Sequence, residues 1–180
     1  MGSSTGLRFW ITFIIVVGLP FVIRWLKLKR ATVGLLLIAY MITVVIITLG
    51  TRSYSSETHI GLNPFIVYER AIRSVIQGWQ AGGGEEALRH LGWYKGQLGN
   101  IGLNILLFVS LGYLVPMVSP FFRQGGRLLL MSFICSLIIE IVQVTTHLGW
   151  FDTSDLLHNT IGAWIGWIIY KNVLEPKDSR

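Results

Sequence analysis

The sequence predicts an all-α fold: a polytopic membrane helix bundle of about five transmembrane helices, with an external amphipathic helix at the membrane surface. Of the 180 residues, 52% are hydrophobic and only 13% are charged, whereas soluble domains carry roughly a quarter charged residues. Five apolar runs approach the ~20 residues that a helix needs to cross a bilayer. Lysine and arginine cluster beside those runs, as they do at the cytoplasmic ends of membrane spans.

The five predicted spans follow one another along the chain, with one long connection between the second and the third. They cover about residues 7–23, 33–49, 101–118, 128–147 and 156–170. We expect Gly18 and Pro20 to kink the far end of the first span, because proline interrupts helical hydrogen bonding. The chain then divides into a first span with its basic loop at 1–32, a membrane domain at 33–170 and a tail at 171–180.

The basic residues predict which ends of the spans face the cytoplasm. They follow the first, third and fifth spans, at Arg24, Lys27, Lys29, Arg30, Arg123, Arg127, Lys171, Lys177 and Arg180. The connection at 148–155 has two aspartates and no lysine or arginine, so we expect it outside. We therefore expect the N-terminus outside and the C-terminus in the cytoplasm. The net charge of +6 reflects topology, and no nucleic-acid-binding motif accompanies it.

The long external segment at 51–99 contains an amphipathic pattern. Apolar residues recur at near-helical spacing from Phe65 to Trp79, with charged and polar residues between them. This pattern is typical of a helix that lies on a membrane surface. The run at 81–84 (AGGG) should break the helix, and a second short helix is expected at 85–93. The pair is interpreted either as a cover that seals the bundle or as a gate for a ligand.

Glu140 is the most informative residue, because an ionisable side chain inside a membrane helix costs roughly 2.5–3.5 kcal/mol at the helix centre. Gln143 and His147 follow it at offsets that place all three on one helical face. The inner half of the same span offers only Ser132 and Ser136 as polar residues. The polar stripe therefore has no obvious continuation toward the inner side of the membrane.

The fifth predicted span begins with a second polar stripe. Asp155, Asn159, Gly162 and Gly166 share one helical face. Glycines four residues apart allow a neighbouring helix to come close, and the simplest arrangement packs this face against the Glu140 face. Asp155 is also a candidate cap for the helix, since a carboxylate near the N-terminus satisfies free backbone N–H groups.

Three spans therefore bring polar side chains to one depth near the outer face, and we name this group the outer polar site. Its predicted binding residues are Asn104, Glu140, Gln143, Asp152, Asp155 and Asn159, with Asn100 beside them. Glu140, His147 and His158 are the candidates for a catalytic role. Taken alone, Asn104 is typical of hydrogen bonding between helices. The combination favours a functional cluster, because Glu140 needs a partner and polar groups lie where one is required.

No metal ion or cofactor is predicted. The histidines show no metal-ligand spacing on one helix, so a zinc site is not expected. They are His59, His90, His147 and His158. Cys135 is the only cysteine, which excludes an internal disulfide and a cysteine metal cluster.

Four stretches resemble signature elements of the VanZ-like family of membrane proteins. Residues 104–112 (NILLFVSLG) resemble its N-x-L-x-F-x-P-x-G element, and residues 140–143 (EIVQ) match its E-x-x-Q element. Residues 151–163 (FDTSDLLHNTIGA) match its F-D-x-D-D-x-x-x-N-T-x-G element. Residues 63–65 (NPF) are similar to an N-x-P-F element in the outer loop. The resemblance covers about residues 33–170.

The chain departs from these elements at three places. Ser110 stands where the family usually has proline, and Ser154 replaces the first of two adjacent aspartates. The arginine that commonly precedes the F-D pair is absent, with Gly149 and Trp150 there instead. If that arginine pairs with a carboxylate in relatives, the site of this chain is more acidic. Amines or cations are then favoured over anions as ligands.

The resemblance implies a cell-envelope protein, since the founding relative is linked to low-level teicoplanin resistance in Gram-positive bacteria. It implies no established reaction. Our first hypothesis is a binding module, in which the outer polar site holds a membrane lipid, a cell-wall precursor or the lipid-tailed glycopeptide itself. Apolar surroundings with a few converging polar groups suit such a site. The glycine pair also allows a homo-oligomer.

Two further hypotheses remain open. In the second, the protein is an enzyme that modifies an envelope lipid or a phosphate ester. Glu140 would act as general acid or base, while Asp152 and Asp155 would hold a divalent cation. The sequence contains no nucleophile elbow and no zinc-hydrolase motif, which weakens this hypothesis. In the third, the protein is a small transporter or flippase, since an internal carboxylate permits a proton-coupled step.

Overall fold

The computed structural model describes residues 3–50, 54 and 60–175, and over these residues the predicted all-α fold is confirmed. The helices are α1 (Ser3–Trp25), α2 (Arg30–Val45), α3 (Ile66–Gly92), α4 (Lys95–Val118), α5 (Gly125–Thr145) and α6 (Thr153–Ile169). Turns of π-helix extend α2 over Ile46–Gly50 and α6 over Tyr170–Leu174, and a 3₁₀ turn covers Pro120–Arg123. Strands β1 (Ile60–Gly61) and β2 (Phe151–Asp152) form a short parallel pair.

The helix boundaries differ from the predicted spans at several ends. α4 begins at Lys95, one to two turns before the predicted start at 101. Pro20 lies inside α1, and the helix continues through it to Trp25. Three residues used in the sequence analysis lie outside the described part of the chain: His59, Lys177 and Arg180.

α4 is the central helix of the bundle. It packs against α1, α2, α5 and α6, and its residues 106–116 are all buried. A helix that is apolar on every side suits such an enclosed position. Tyr113 and Leu114 belong to the core shared with α1, whereas Phe108 and Leu111 belong to the core shared with α2 and α5. The other helices are therefore arranged around α4.

Glycines bring α4 and α6 into backbone contact. A Cβ atom on Gly162 would overlap the carbonyl oxygen of Ile105, and one on Gly166 would overlap that of Val109. From α4, Gly112 meets the backbone of α6 in the same way. The predicted close approach of a neighbouring helix is thus present. Its partner is α4, whereas the simplest sequence-based arrangement placed this face against the Glu140 face of α5.

Hydrogen bonds gather several helix ends at one end of the bundle, which we call the basic end. Arg24 at the end of α1 donates to the Val173 carbonyl at 2.6 Å. Arg30 at the start of α2 donates to the carbonyl of Val118, the last residue of α4, also at 2.6 Å. The indole of Trp167 donates to the Arg123 carbonyl at 3.0 Å. Successive bundle helices therefore run in alternating directions, and the opposite end of the bundle carries the outer polar site.

The outside of the bundle is apolar. Large side chains are exposed on α1, α2, α5 and α6, among them Phe21, Leu35, Ile38, Leu130 and Trp164. The helices Lys95–Val118 and Gly125–Thr145 are long enough and apolar enough to cross a membrane. Shorter apolar helical stretches cover Val16–Trp25 and Arg30–Val45. These features indicate a membrane protein. The count of five spans stays a prediction, because two helices alone meet the length criterion among the described residues.

α3 is a helical hairpin, and we use that name for residues 66–92. Its helical geometry breaks at Gly82 and Gly83, where Gly83 has a φ of 73° that glycine adopts readily. The two arms then fold back on each other, so that a Cβ on Gly78 would lie 2.9 Å from the Cα of Ala87. The predicted helix, its break at 81–84 and the second short helix are all found.

One side of the helical hairpin is exposed and apolar. Ile72, Ile76 and Trp79 follow one another at helical spacing, and all three side chains are exposed. Arg70 and Arg73 fall on a different side of the same arm. This is the amphipathic pattern expected of a surface-lying helix, while the position of the hairpin at a membrane stays a prediction.

Candidate functional site

Asn104 and Asp155 join α4 to α6 within the outer polar site. The Asn104 side-chain amide donates to a carboxylate oxygen of Asp155 over 2.7 Å. Both side chains are half-buried. The bond spans 51 residues of sequence. Asn104 directly precedes Ile105, which Gly162 contacts, and Asp155 lies about two turns before Gly162. The close approach of the two backbones therefore fixes the distance between these polar side chains.

Glu140 is buried on α5, with 1% of its surface exposed. One of its carboxylate oxygens accepts the backbone N–H of Asp152 over 2.8 Å. Buried carboxylates require such donors, because an unsatisfied charge in an apolar interior is strongly unfavourable. The bond holds the segment between α5 and α6 against the last two turns of α5.

Gln143 lies one turn beyond Glu140 and is equally buried. Its side-chain N–H group donates to the Thr48 carbonyl at 3.0 Å, in the π-helical turn that follows α2. Its side-chain oxygen has no hydrogen-bond partner among the described residues. α2 therefore contributes to the site, and Gln143 keeps one acceptor available.

Asn159 extends the site along α6. Its amide nitrogen donates to the Ser136 hydroxyl at 2.8 Å, and its amide oxygen lacks a partner within the described chain. Ser132, Ser136 and Glu140 recur every four residues on one buried face of α5. The polar stripe thus reaches farther toward the basic end than the sequence interpretation allowed. Both serines were noted in the sequence, and their regular spacing with Glu140 was the signal of this continuation.

Asp152, and not Asp155, caps α6. A carboxylate oxygen of Asp152 accepts the backbone N–H of Ser154 at 2.8 Å, which satisfies one of the free donors at the helix start. The Thr153 hydroxyl donates to the Gly61 carbonyl at 3.1 Å, beside the pairing of β1 with β2. Asp155 lies one turn inside the helix and is therefore placed to contact α4 instead.

His158 is buried and contacts the helical hairpin. Its Nε2 atom lies 2.7 Å from the Tyr68 hydroxyl, and the two rings meet edge to face with centroids 5.8 Å apart. Its Nδ1 atom has no partner in the described part of the molecule. Tyr68 is a site residue that sequence reasoning missed, because its partner His158 lies 90 residues away in the sequence.

His147 does not continue the Glu140 stripe as predicted. α5 ends at Thr145, and His147 has a φ of 57° in the left-handed region. The Leu148 N–H bonds back to the Gln143 carbonyl at 3.0 Å, which is the pattern of a Schellman helix end. The His147 ring instead lies near Tyr54, with centroids 5.5 Å apart. α5 therefore ends two residues before His147, and the helical periodicity behind the predicted stripe does not reach that residue.

The site is rich in hydrogen-bond acceptors. Carboxylates come from Glu140, Asp152 and Asp155, and unpaired amide oxygens come from Gln143 and Asn159. The sequence carries no lysine or arginine from residue 128 to residue 170. Among the described residues, no three His, Cys, Asp or Glu side chains are close enough to hold a metal ion. A molecule that enters here would form its best contacts through N–H or O–H donors.

A family model described as VanZ/LLP1 matches residues 35–174. The chain belongs to the VanZ/LLP1 family. No curated protein and no solved structure matches it. The match confirms the resemblance that the four sequence elements indicated.

The VanZ/LLP1 sequence elements meet at one end of the bundle. Asn104 bonds to Asp155, and Glu140 bonds to Asp152, so three of the elements are in direct contact. Asn63 supplies the fourth element: its side-chain oxygen accepts the Phe65 N–H at 2.9 Å, just before the helical hairpin. β1 and the neighbouring Thr153 bond bring that segment beside the start of α6.

Two departures from the VanZ/LLP1 pattern have a structural counterpart. Ser110, in place of proline, is buried in α4, and its hydroxyl accepts a bond from the Tyr113 hydroxyl at 3.3 Å. Gly149 and Trp150 stand where the resemblance implies an arginine, and Glu140 accepts the Asp152 backbone N–H. A neutral donor thus contacts Glu140 at the segment where the arginine is missing.

Proposed function

We propose that this VanZ/LLP1 protein spans the bacterial plasma membrane five times, with residues 33–170 as its family domain. α2 with its π-helical turn covers residues 30–50, and α6 with its turn covers 153–174; both reach the ~20 residues needed to cross a bilayer. The arginines gathered at the basic end support a cytoplasmic position for that end. The N-terminus then lies outside, the C-terminus lies inside, and the outer polar site faces the cell envelope.

At the outer polar site, the protein binds a donor-bearing group of a cell-envelope lipid, a cell-wall precursor or a lipoglycopeptide, and thereby contributes to glycopeptide tolerance. The observation that carries this proposal is the pair of buried amide oxygens, on Gln143 and Asn159, that lack partners among the described residues. A buried acceptor without a partner costs about 1–3 kcal/mol. A ligand amine, amide or hydroxyl group would recover that free energy.

The surroundings of the site suit such a ligand. Asn104, Asp152 and Asp155 are half-buried and form its rim, whereas Glu140 and Gln143 are buried beneath them. A ligand would therefore meet the rim first and the unpaired acceptors afterwards. The site contains three carboxylates, and the sequence carries no lysine or arginine from residue 128 to residue 170, which favours amines such as those of a glycopeptide.

The helical hairpin would cover this site. Tyr68 ties it to His158, and its exposed apolar side with Ile72, Ile76 and Trp79 would lie in the membrane surface. A hairpin held in that way can lift without disturbing the packing of α4 against α6. This arrangement supports the gating interpretation of the external segment over a purely sealing one.

Glu140→Gln tests the proposal, with Glu175→Gln as its matched control. Glu175 is paired with Lys171 at the basic end, 2.6 Å away, so the control makes the same chemical change far from the site. Wild type and both variants are expressed in a susceptible Gram-positive host at matched membrane levels. We expect wild type and Glu175→Gln to raise the inhibitory concentration of teicoplanin more than that of vancomycin, whereas Glu140→Gln does not.

Equal tolerance in all three strains, with normal membrane insertion, would overturn the glycopeptide part of the proposal. Binding of labelled cell-wall lipid precursors to the purified proteins then decides the rest. Retention by wild type but not by Glu140→Gln, without any product, supports a binding module. Product formation by wild type would favour the enzymatic hypothesis instead.

Transport is a second candidate, favoured by one observation. Ser132, Ser136, Asn159 and Glu140 form a buried polar stripe along the α5–α6 interface, and the Ser132 hydroxyl is unpaired within the described residues. Buried polar side chains of this kind mark ion and proton routes in membrane proteins. Proton flux into liposomes that contain wild type, and its loss in Glu140→Gln, would support this candidate. Absence of flux in wild type would remove it.

A further inference from the structure

A groove runs along the bundle between α2 and α5, with α4 as its floor. Its volume is about 250 Å³. Apolar side chains line it almost throughout: Leu37 and Met41 from α2, Leu111, Val115 and Val118 from α4, Phe122 from the 3₁₀ turn, and Met131 and Cys135 from α5. Ser119 also lines the groove, in the loop after α4. We call this feature the apolar groove.

The apolar groove lies in the half of the bundle nearer the basic end. Val118 ends α4, and its carbonyl accepts the Arg30 side chain at that end. At the opposite end, the bond from Gln143 to the Thr48 carbonyl joins the same two flanking helices, α5 and the extension of α2. The groove shares no residue with the outer polar site, so the two are separate features of the molecule.

Cations flank the base of the groove on both walls. Arg30 begins α2 and is exposed, seven residues before Leu37, or about 10 Å at the helical rise of 1.5 Å per residue. Arg127 is exposed in the first turn of α5, one turn before Met131. Its guanidinium lies 4.4 Å from the centroid of the Phe121 ring, next to the lining residue Phe122.

No carboxylate from the walls offsets these cations. The sequence has no Asp or Glu before residue 57 and none from residue 87 to residue 139, a range that includes α4 and most of α5. An apolar slot that begins between two exposed arginines matches a molecule with an anionic head and an aliphatic tail. Basic residues beside a membrane helix attract anionic lipids in this way.

We propose that the apolar groove binds one acyl chain of an anionic glycerophospholipid, with the lipid phosphate between Arg30 and Arg127. The chain lies against α4 and separates α2 from α5. On the topology proposed above, this lipid belongs to the inner leaflet. The site itself does not depend on what the outer polar site binds, because no residue is common to the two.

Photo-crosslinking in lipid bilayers tests the proposal. The full chain is reconstituted in nanodiscs with a trace of phosphatidylglycerol or phosphatidylcholine that carries a diazirine on one acyl chain. Adducts are located by mass spectrometry after irradiation. We expect phosphatidylglycerol adducts on Met41, Met131 and Cys135, with a yield at least about threefold above that of phosphatidylcholine. In the double variant Arg30→Gln with Arg127→Gln, the two lipids should label equally.

A matched pair of variants tests the groove itself. Met131→Trp fills it, whereas Leu130→Trp places the same side chain on an exposed side of α5 that does not line the groove. The yield of phosphatidylglycerol adducts at Cys135 should fall several-fold in Met131→Trp and stay unchanged in Leu130→Trp. If Met131→Trp is not monodisperse, Met41→Trp blocks the groove from its other wall.

Three results would overturn the proposal. They are equal labelling of wild type by the two lipids, adducts spread evenly over all the exposed apolar surface, and equal capture by the filled and control variants. Loss of glycopeptide tolerance in Glu140→Gln is a separate result. A failure of the outer polar site therefore leaves this experiment unaffected, and the reverse is also true.

Discussion

The contact between α4 and α6 and the attachment of the helical hairpin differ in how they are built. α4 and α6 meet through backbone at Gly112, Gly162 and Gly166, where no side chain fits between them. The hairpin is attached to α6 through the hydrogen bond between Tyr68 and His158. The first contact has no room for an added side chain, whereas the second is made by two side chains. From this difference we predict that the helical hairpin loosens more easily than the packing of α4 against α6.

The largest effect is expected from Gly162→Ala, which disrupts the backbone contact between α4 and α6. The new Cβ would overlap the Ile105 carbonyl oxygen, and backbone atoms cannot move aside as a flexible side chain can. We expect a loss of about 1–3 kcal/mol in the free energy of unfolding. This loss is measured by thermal unfolding in detergent, with size-exclusion chromatography as the readout of the folded fraction.

Gly126→Ala is the control for that substitution. A Cβ at Gly126 has no neighbouring atom within 4 Å, and alanine favours a helix over glycine by roughly 0.5–1 kcal/mol. This variant should be as stable as wild type or slightly more stable. Equal melting temperatures for the two variants would contradict a tight glycine contact between α4 and α6.

Tyr68→Phe acts on the attachment of the helical hairpin to α6 and should have a smaller effect on stability. It removes the hydroxyl that bonds to His158, while the edge-to-face ring contact can remain. A single hydrogen bond contributes about 0.5–1.5 kcal/mol. We expect faster hydrogen exchange and proteolysis over residues 66–92, with little change in the melting temperature of the bundle.

Tyr94→Phe removes a tyrosine hydroxyl in the short link between the helical hairpin and α4 and is the matched control. It should leave exchange in the hairpin unchanged. A drop in global stability of Tyr68→Phe as large as that of Gly162→Ala would contradict the proposed division. The hairpin would then be part of the core instead of a cover above the site.

The sequence predicted some of these contacts better than others, for physical reasons. The break at Gly82 and Gly83 was predictable, because glycine runs interrupt helices locally. The glycine face of α6 was recognised from its spacing, but its partner was not, because Gly112 is a single glycine with no pattern around it. A helical face specifies that it packs closely and does not specify which neighbour it meets.

Tertiary contacts account for what was missed at the outer polar site. Asn104, Glu140, Gln143 and Asn159 were recognised because polar residues inside apolar helices are conspicuous. Tyr68 was missed because its contact with His158 spans 90 residues and leaves no local signal. His147 was placed wrongly because periodicity was extended past the helix end, where the backbone turns left-handed.

The smallest effect is expected from a change of pH. It should alter the stability of the second arm of the helical hairpin, residues 84–92. The hydrogen bond from Arg89, together with the charges of Arg89 and His90, holds the pKa of Glu86 below its ordinary value. A carboxyl group with a lowered folded-state pKa stabilises the fold above its unfolded pKa of about 4.3, and this contribution is lost as the pH falls through the folded value. Arg89 is exposed and Glu86 is half-buried, so solvent and salt screen the pair.

Hydrogen exchange over residues 84–92, corrected for its intrinsic pH dependence, should therefore show a slight loss of protection between about pH 6 and about pH 3. Glu86→Gln should lack this change, and added salt should reduce it in wild type. An equal loss in both proteins would assign it to other carboxylates. Protection of α4 near Gly112 should stay constant over the same range, because the glycine contact contains no titratable group. A pH change that loosens the hairpin arm while leaving α4 unchanged would sharpen the contrast between the two contacts.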